Sequence, residues 1–134
     1  MRLASIFCFA TLLISAVLVV AAPPQNTSKT ELLKGWLSDE QCSKGRAESG
    51  TYTATNPECA KECVAKGKKI VLVDPIGKRI LVLSNQDIGR KNVGDYVEIS
   101  GEVDSPTMTL HANSLKFLEK GNAMCGVPPK KAKS

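Results

Sequence analysis

Cys42, Cys59, Cys63 and Cys125 are the residues of this chain with the most chemistry to offer. A thiol can pair as a disulfide, attack as a thiolate or ligate a soft cation. Cys59 and Cys63 lie in the stretch NPECAKECVAKG, from Asn56 to Gly67. They are four apart, so on a helix they share a face. Cys59 would fall in the first turn, where the helix dipole lowers a thiol pKa. A thiol-redox protein using Cys59 and Cys63 is therefore one reading. Against it, the spacing is C-x3-C and not the C-x-x-C of thioredoxin-like enzymes.

A metal role has less support, because structural zinc sites usually draw on two close pairs and this chain has one. His111 is the only histidine. The alternation of its strand puts it on the face opposite Met108 and Leu110, beside Thr107 and Thr109, as a surface residue. No metal and no cofactor are expected. For hydrolytic catalysis there is no histidine in a plausible triad and no Gly-rich phosphate loop. Asp39 and Glu40 read as a lone acidic pair in a turn or solvated loop. The chain is thus expected to be non-enzymatic, with its cysteines in structural disulfides.

The compartment follows from the N-terminus. Arg2, the apolar run Leu3 to Val20, and small residues at Val20 and Ala22 have the pattern of a secretory signal, residues 1–22, cleaved after Ala22. An uncleaved anchor is the alternative, since the run is near spanning length. Pro23 and Pro24 follow at once, and no basic stop-transfer cluster does. Cleavage removes Cys8 and leaves an even set of four cysteines, which in a small exported domain suggests two disulfides. Each would stabilise by about 2–4 kcal/mol. Losing Arg2 lowers the net charge from +5 to +4, and Lys130, Lys131 and Lys133 hold three of those charges in the tail. A nearly neutral body argues only weakly for a polyanionic partner.

The elements that must position the thiols come next. Residues 23–30 read as a polar linker, and residues 31–120 as one domain. Glu31 to Ser38 reads as the first strand, bent at Gly35, with Trp36 as a packing residue. Asp39 to Thr55 reads as a long polar loop. Asn56 as N-cap, Pro57 at the first position and Gly67 as terminator bound a short helix. Lys69 to Asp74 and Arg79 to Ser84 are apolar runs joined by Pro75-Ile76-Gly77-Lys78, hence a hairpin. Both runs are apolar on both faces, so one face can fill a barrel while the cysteine helix covers the other. Asn85 to Gly94 can hold one helical turn. Tyr96 to Val103 alternates, with Val97, Ile99, Gly101 and Val103 on one side. Met108, Leu110 and Ala112 share a face in the last strand, and Leu115 and Phe117 have the opposite parity, which predicts a bulge near Asn113 and Ser114. Residues 121–134 form a basic tail. Five strands with one short cysteine-bearing helix between strands 1 and 2 fit a mainly β, five-stranded OB-like barrel.

Four cysteines permit three pairings. A bond between Cys59 and Cys63 would distort their shared helix. If strand 1 pairs antiparallel with strand 2, its end lies near strand 2's start, where the C-terminal half of the helix must also arrive. Cys42 with Cys63 and Cys59 with Cys125 is the expected set. Cys42 with Cys59 would reverse the placement of the helix.

The segments GWLSDEQC, ECAKECVAKGKKIVLVD, VLSNQD and VGDYVEISGEV resemble a family of small exported bacterial proteins. Its pattern is G-x-x-S-D-x-x-C, a C-x-x-x-C-V-x-x-G helix, an apolar hairpin and a G-x-x-V-x-I/V-x-G strand. The resemblance covers Lys34 to Phe117 and implies an OB-like domain of uncharacterised function, periplasmic or secreted. Members often carry a histidine after the first cysteine; here Ser43, Lys44 and Gly45 follow it, and Cys125 lies outside the pattern. The best-known use of such a barrel is single-strand binding, which needs aromatic platforms along a basic groove. The Lys69 to Ser84 hairpin has no aromatic residue, so no nucleic acid is expected. The remaining expectation is a monomeric binding or envelope-interaction module, free of the membrane once the signal is cleaved, with a small-molecule or protein partner.

Overall fold

The computed structural model describes residues 29–122. Five strands close a barrel in the order β1-β2-β3-β5-β4. They are β1 (Lys29–Asp39), β2 (Ile70–Asp74), β3 (Arg79–Leu83), β4 (Tyr96–Asp104) and β5 (Thr109–Glu119). All pairs are antiparallel except a short parallel contact that sets Val82 against Thr109 and Leu83 against Leu110. This is the OB-like barrel that the strand pattern predicts. Two helices, α1 (Glu40–Glu48) and α2 (Pro57–Ala65), separate β1 from β2. Two 3-10 turns, Gln86–Ile88 and Arg90–Asn92, fill the connection read as a helical turn.

Closure depends on β1 serving two neighbours. Lys29 to Trp36 pairs with β4, and Trp36 to Asp39 pairs with β2. The changeover is at Gly35, where a Cβ would collide with the Val73 carbonyl oxygen. The bend expected at Gly35 is therefore a close backbone approach. β1 also begins at Lys29, two residues inside the segment read as linker, because β4 is long enough to pair Lys29 with Val103 and Thr30 with Glu102.

The alternation in β4 has the consequence it implies. Val97, Ile99, Gly101 and Val103 are buried, while Glu98, Ser100 and Glu102 are not. In β5 the register slips between Ser100 and Gly101, whose partners are Ser114 and Ala112. Asn113 is thus the extra residue of the expected bulge, and beyond it Leu115 packs on the barrel core. Phe117 is largely exposed, as is Met108, which occupies a left-handed turn position.

The interior is filled by Leu33, Leu37, Ile70, Leu72, Leu81, Leu83, Val97, Ile99 and Leu110. A second cluster on the outer face of β2 and β3 contains Trp36, Val71, Val73, Ile80 and Val82. Its cover differs from expectation. Tyr52 and Ala54, from the segment between the helices, lie over it, with the Tyr96 ring tilted at 50° against Trp36, 4.8 Å between ring centroids. The cysteine helix instead packs Ala60 and Val64 on the interior cluster, so it plugs one end of the barrel. Pro57 fits against Gly94, whose φ of +93° and missing Cβ leave it room.

The hairpin turn is built by Asp74. Its Oδ1 accepts from the amides of Ile76 (3.0 Å) and Gly77 (2.9 Å), and its Oδ2 from Arg79 Nε (2.9 Å). Arg79 also reaches Glu31 at 2.6 Å, tying the hairpin to β1.

Ile99 is fully buried, so Ile99→Ala is expected to destabilise by about 2–5 kcal/mol in urea unfolding. Glu98, half-buried, makes an ion pair with exposed Lys34 at 3.2 Å. Glu98→Ala is expected to cost no more than about 1 kcal/mol. Equal losses at the two positions would show the faces of β4 to be misassigned.

Candidate functional site

The thiols meet where β1 ends, α1 begins and α2 passes. Asp39 is the last residue of β1 and the N-cap of α1, and its Oδ1 accepts the Cys42 amide at 2.9 Å. This is the bond that a cap makes to the third residue of a helix. The turn that follows points Cys42 at α2. Glu40 fastens the same start of helix to β2: its amide donates to the Lys69 carbonyl at 2.9 Å and its Oε1 accepts the Lys69 amide at 3.3 Å.

The segment read as a long loop is therefore largely helix α1. The sequence conceals it because EQCSKGRAE has no apolar stripe and contains Gly45. Its cap and its tether to Lys69 hold it, rather than burial. The expectation of a single helix between strands 1 and 2 is corrected to two. Asp39 is corrected as well. It is not solvated but fully buried, while Glu40 is half-buried. Ser38 beside it is also buried and hydrogen-bonds Thr55 through its hydroxyl.

α2 has the ends that the sequence predicts. Asn56 Oδ1 accepts from the amides of Glu58 (2.9 Å) and Cys59 (3.3 Å). Gly67, with φ +93°, lets Lys68 donate back to the Cys63 carbonyl at 3.0 Å. The two cysteines do not share one environment, however. Ala60 and Val64 take the core-facing line, so Cys63 is half-buried at its edge and Cys59 is exposed.

One ligand atom from each of Asp39, Cys42 and Cys63 lies within 4.8 Å of the other two. The structure thus brings Cys63, not Cys59, against Cys42; all three described thiols are free. Cys125 lies outside the described residues, so its expected bond to Cys59 does too. Cys8 and the residues of the signal also fall outside them.

The cluster has an unusual polar balance. Asp39 Oδ2 and Ser43 Oγ are buried without a hydrogen-bond partner, the two such side-chain atoms found among the described residues. The Cys42 thiol is pushed up to about 11, mainly by burial, then by the Asp39 carboxylate beside it, and least by Cys63. Each of these disfavours a second negative charge. At neutral pH Cys42 is a protonated thiol and a poor nucleophile.

Cys42 and Cys59 both line a groove of about 340 Å³ between the helices, completed by Gly45, Arg46, Thr55 and Asn56. Arg46 is oriented there by a 2.6 Å bond to Thr53 Oγ1. His111, expected on the strand surface, is exposed and its Nδ1 lies 2.9 Å from Ser84 Oγ.

Sequence reasoning missed two residues that hold this end of the barrel. The Asn85 amide donates to the Ala112 carbonyl (2.7 Å) and accepts the Ala112 amide (3.0 Å). The Gln86 amide does the same for Ile70, at 3.1 and 2.6 Å. Each side chain stands in for a strand residue on the edge away from the residue's strand partner, Gly101 for Ala112 and Asp39 for Ile70. An Asn-Gln pair directly after an apolar strand was the available signal.

No protein-family model, curated protein or solved structure matches this chain.

The direction of the Cys42 shift predicts two outcomes for the reduced protein. At pH 8, Cys42 should be alkylated more slowly than exposed Cys59, as followed by mass spectrometry of digests. Because folding favours the neutral thiol, its contribution is complete below the ordinary value of 9.0 and disappears as pH rises through about 11. The urea midpoint of the reduced chain should therefore fall between pH 9 and pH 11 by more than that of Cys42→Ala.

Proposed function

We propose that this chain is an exported bacterial binding module, non-enzymatic and monomeric, whose OB-like barrel carries a Cys42–Cys63 disulfide stapling α1 to α2. The observation that carries this reading is the meeting of those two sulfurs, within 4.8 Å, from cysteines 21 positions apart in sequence on two different helices. A disulfide requires its Cα atoms about 4.4–6.8 Å apart and a sulfur separation that modest side-chain rotation can close. Formation is thiol–disulfide exchange: the two thiols lose two protons and two electrons, and a disulfide oxidant of the exporting compartment is reduced to two thiols. The signal pattern of residues 1–22 supplies that compartment.

The binding region of the proposal is the groove between the helices. Its walls are Cys42, Gly45, Thr55, Asn56 and Cys59, with the Arg46 guanidinium at one side. A small molecule, or a short protein segment, with an apolar body and an acceptor for Arg46 fits this lining. The outer face of β2 and β3, used by OB barrels for oligonucleotides, carries Tyr52 and Ala54 of the chain itself, which argues for a partner other than nucleic acid.

The second reading is a thiol-redox protein using Cys59 and Cys63. It is favoured by the exposure of Cys59 in the first turn of α2 and by the groove it shares with Cys42. Non-reducing peptide mapping of the native protein separates the two. The module reading expects a fragment linking Cys42 to Cys63, and Cys59 linked to Cys125. Free thiols at Cys59 and Cys63, with Cys42 bonded to Cys125, would put the redox reading first. Export is checked by intact mass, with a mature N-terminus expected at Pro23; a retained Met1 would make the leader an anchor.

A further inference from the structure

Asp39, Cys42 and Cys63 have a chemistry beyond a disulfide. We propose that in its dithiol form the protein binds one divalent thiophilic cation of the zinc class through Asp39 Oδ2, Cys42 Sγ and Cys63 Sγ, with a fourth position open to the groove. The proposal goes beyond the staple reading and does not depend on it, since the disulfide and the cation site are alternative states of the same pair.

The donor set is of the right type. Once the cation displaces the protons of the Cys42 and Cys63 thiols to solvent, two thiolates and one carboxylate suit a borderline-soft ion, and three protein ligands with one open position are the pattern of reactive zinc centres. The separations also fit. With Zn–S near 2.3 Å and Zn–O near 2.0–2.2 Å, tetrahedral ligand atoms stand about 3.5–3.8 Å apart. The three groups already lie within 4.8 Å of one another, so contraction needs side-chain adjustment and no movement of an element.

The second, independent observation is the carboxylate. Asp39 has no solvent exposure, yet Oδ2 has no hydrogen-bond partner. Oδ1 is already occupied by the Cys42 amide. A buried carboxyl oxygen without a partner is unfavourable unless something positive meets it, and among the described residues no lysine or arginine is paired with Asp39. A cation at the cluster would meet the Asp39 carboxylate and both sulfurs together. The bond from the Cys42 amide to Oδ1 then acts as the outer support that fixes a ligating carboxylate.

The fourth position faces the groove, because Cys42 lines it. Cys59 lines it as well but lies outside the three-ligand group, so the open position is left for water or for a small anion within reach of Arg46.

The test uses Co2+ as a spectroscopic probe in the full chain, reduced, with Cys8, Cys59 and Cys125 replaced by serine. One equivalent should give thiolate-to-cobalt charge-transfer absorption with the intense visible bands of four-coordination, and Zn2+ should abolish both. Cys42→Ser or Cys63→Ser should remove the charge-transfer absorption or weaken it by half or more. Asp39→Asn is the decisive variant, because asparagine still caps α1 but carries no charge; Co2+ affinity should fall at least tenfold, with far-UV circular dichroism unchanged. No charge-transfer absorption at one equivalent in the parent would overturn the proposal. So would undiminished affinity in Asp39→Asn. If Asp39→Asn fails to fold, the decision passes to Cys63→Ser, and retained absorption there overturns the site. A mapped Cys42–Cys63 bond in the native protein leaves this result unaffected, and a failure of cation binding leaves the staple reading standing.

Discussion

A buried carboxylate is costly unless its surroundings answer it, and Asp39 is the residue on which this corner of the molecule turns. It ends β1 with no solvent exposure and begins α1 as its N-cap. The bond to the Cys42 amide and the positive end of the helix are the compensation that the described residues supply. The position of Cys42 follows from that cap, and the meeting of Cys42 with Cys63 follows from the position of Cys42. A residue at the tip of a strand thus determines which thiols can react with each other. It also lowers the reactivity of Cys42, since its carboxylate adds to burial in holding that thiol protonated.

The barrel itself depends on a different economy of backbone. β1 is long enough to pair with both β4 and β2, and Gly35 lets it change partners. On the opposite side the closing contact between β3 and β5 is only two residue pairs long. Side-chain amides extend the pairing at this end: Asn85 engages Ala112 of β5, and Gln86 engages Ile70 of β2. Buried backbone groups must find partners somewhere, and here two adjacent polar residues provide them where strand pairing stops. Asp95 acts similarly at the far end of β5, accepting the Gly121 amide at 3.1 Å while Lys120 neutralises it at 3.1 Å.

These arrangements explain what was legible in the residues and what was not. The strands were, because alternation in Tyr96 to Val103 and the parity change before Leu115 are direct records of one buried face. The ends of α2 were, because Asn56, Pro57 and Gly67 each perform a local task. α1 was not, since it lacks an apolar stripe and its support comes from Lys69, 29 positions beyond Glu40. For the same reason Asp39 looked like a solvated residue: burial of a charge is imposed by tertiary structure and leaves no periodic signal. The cover of the outer sheet face is not legible, because Tyr52 and Ala54 lie in an irregular stretch between helices, where no period marks a packing face. Cys59 was placed with Cys63 by helical spacing alone, but four residues turn a helix by slightly more than a full revolution, enough to leave one thiol in solvent.

The insertion between β1 and β2 therefore does three things at once. Its middle covers the outer face of β2 and β3, α2 plugs an open end, and α1 brings Cys42 to α2. These roles constrain each other. Tyr52 and Ala54 can lie on the sheet only if α1 ends where it does, and Ser38 fixes that return by its bond to Thr55. Pro57 can enter against Gly94 only if Thr55 and Asn56 bring the chain back across β1. A link between Cys42 and Cys63, whether covalent or through a shared cation, would join the two ends of this excursion across the helices, where loop closure removes most freedom from the unfolded chain. The groove between α1 and α2 lies within the same excursion, and Cys42 belongs both to its wall and to the cluster with Asp39 and Cys63, so groove and thiol cluster share that residue.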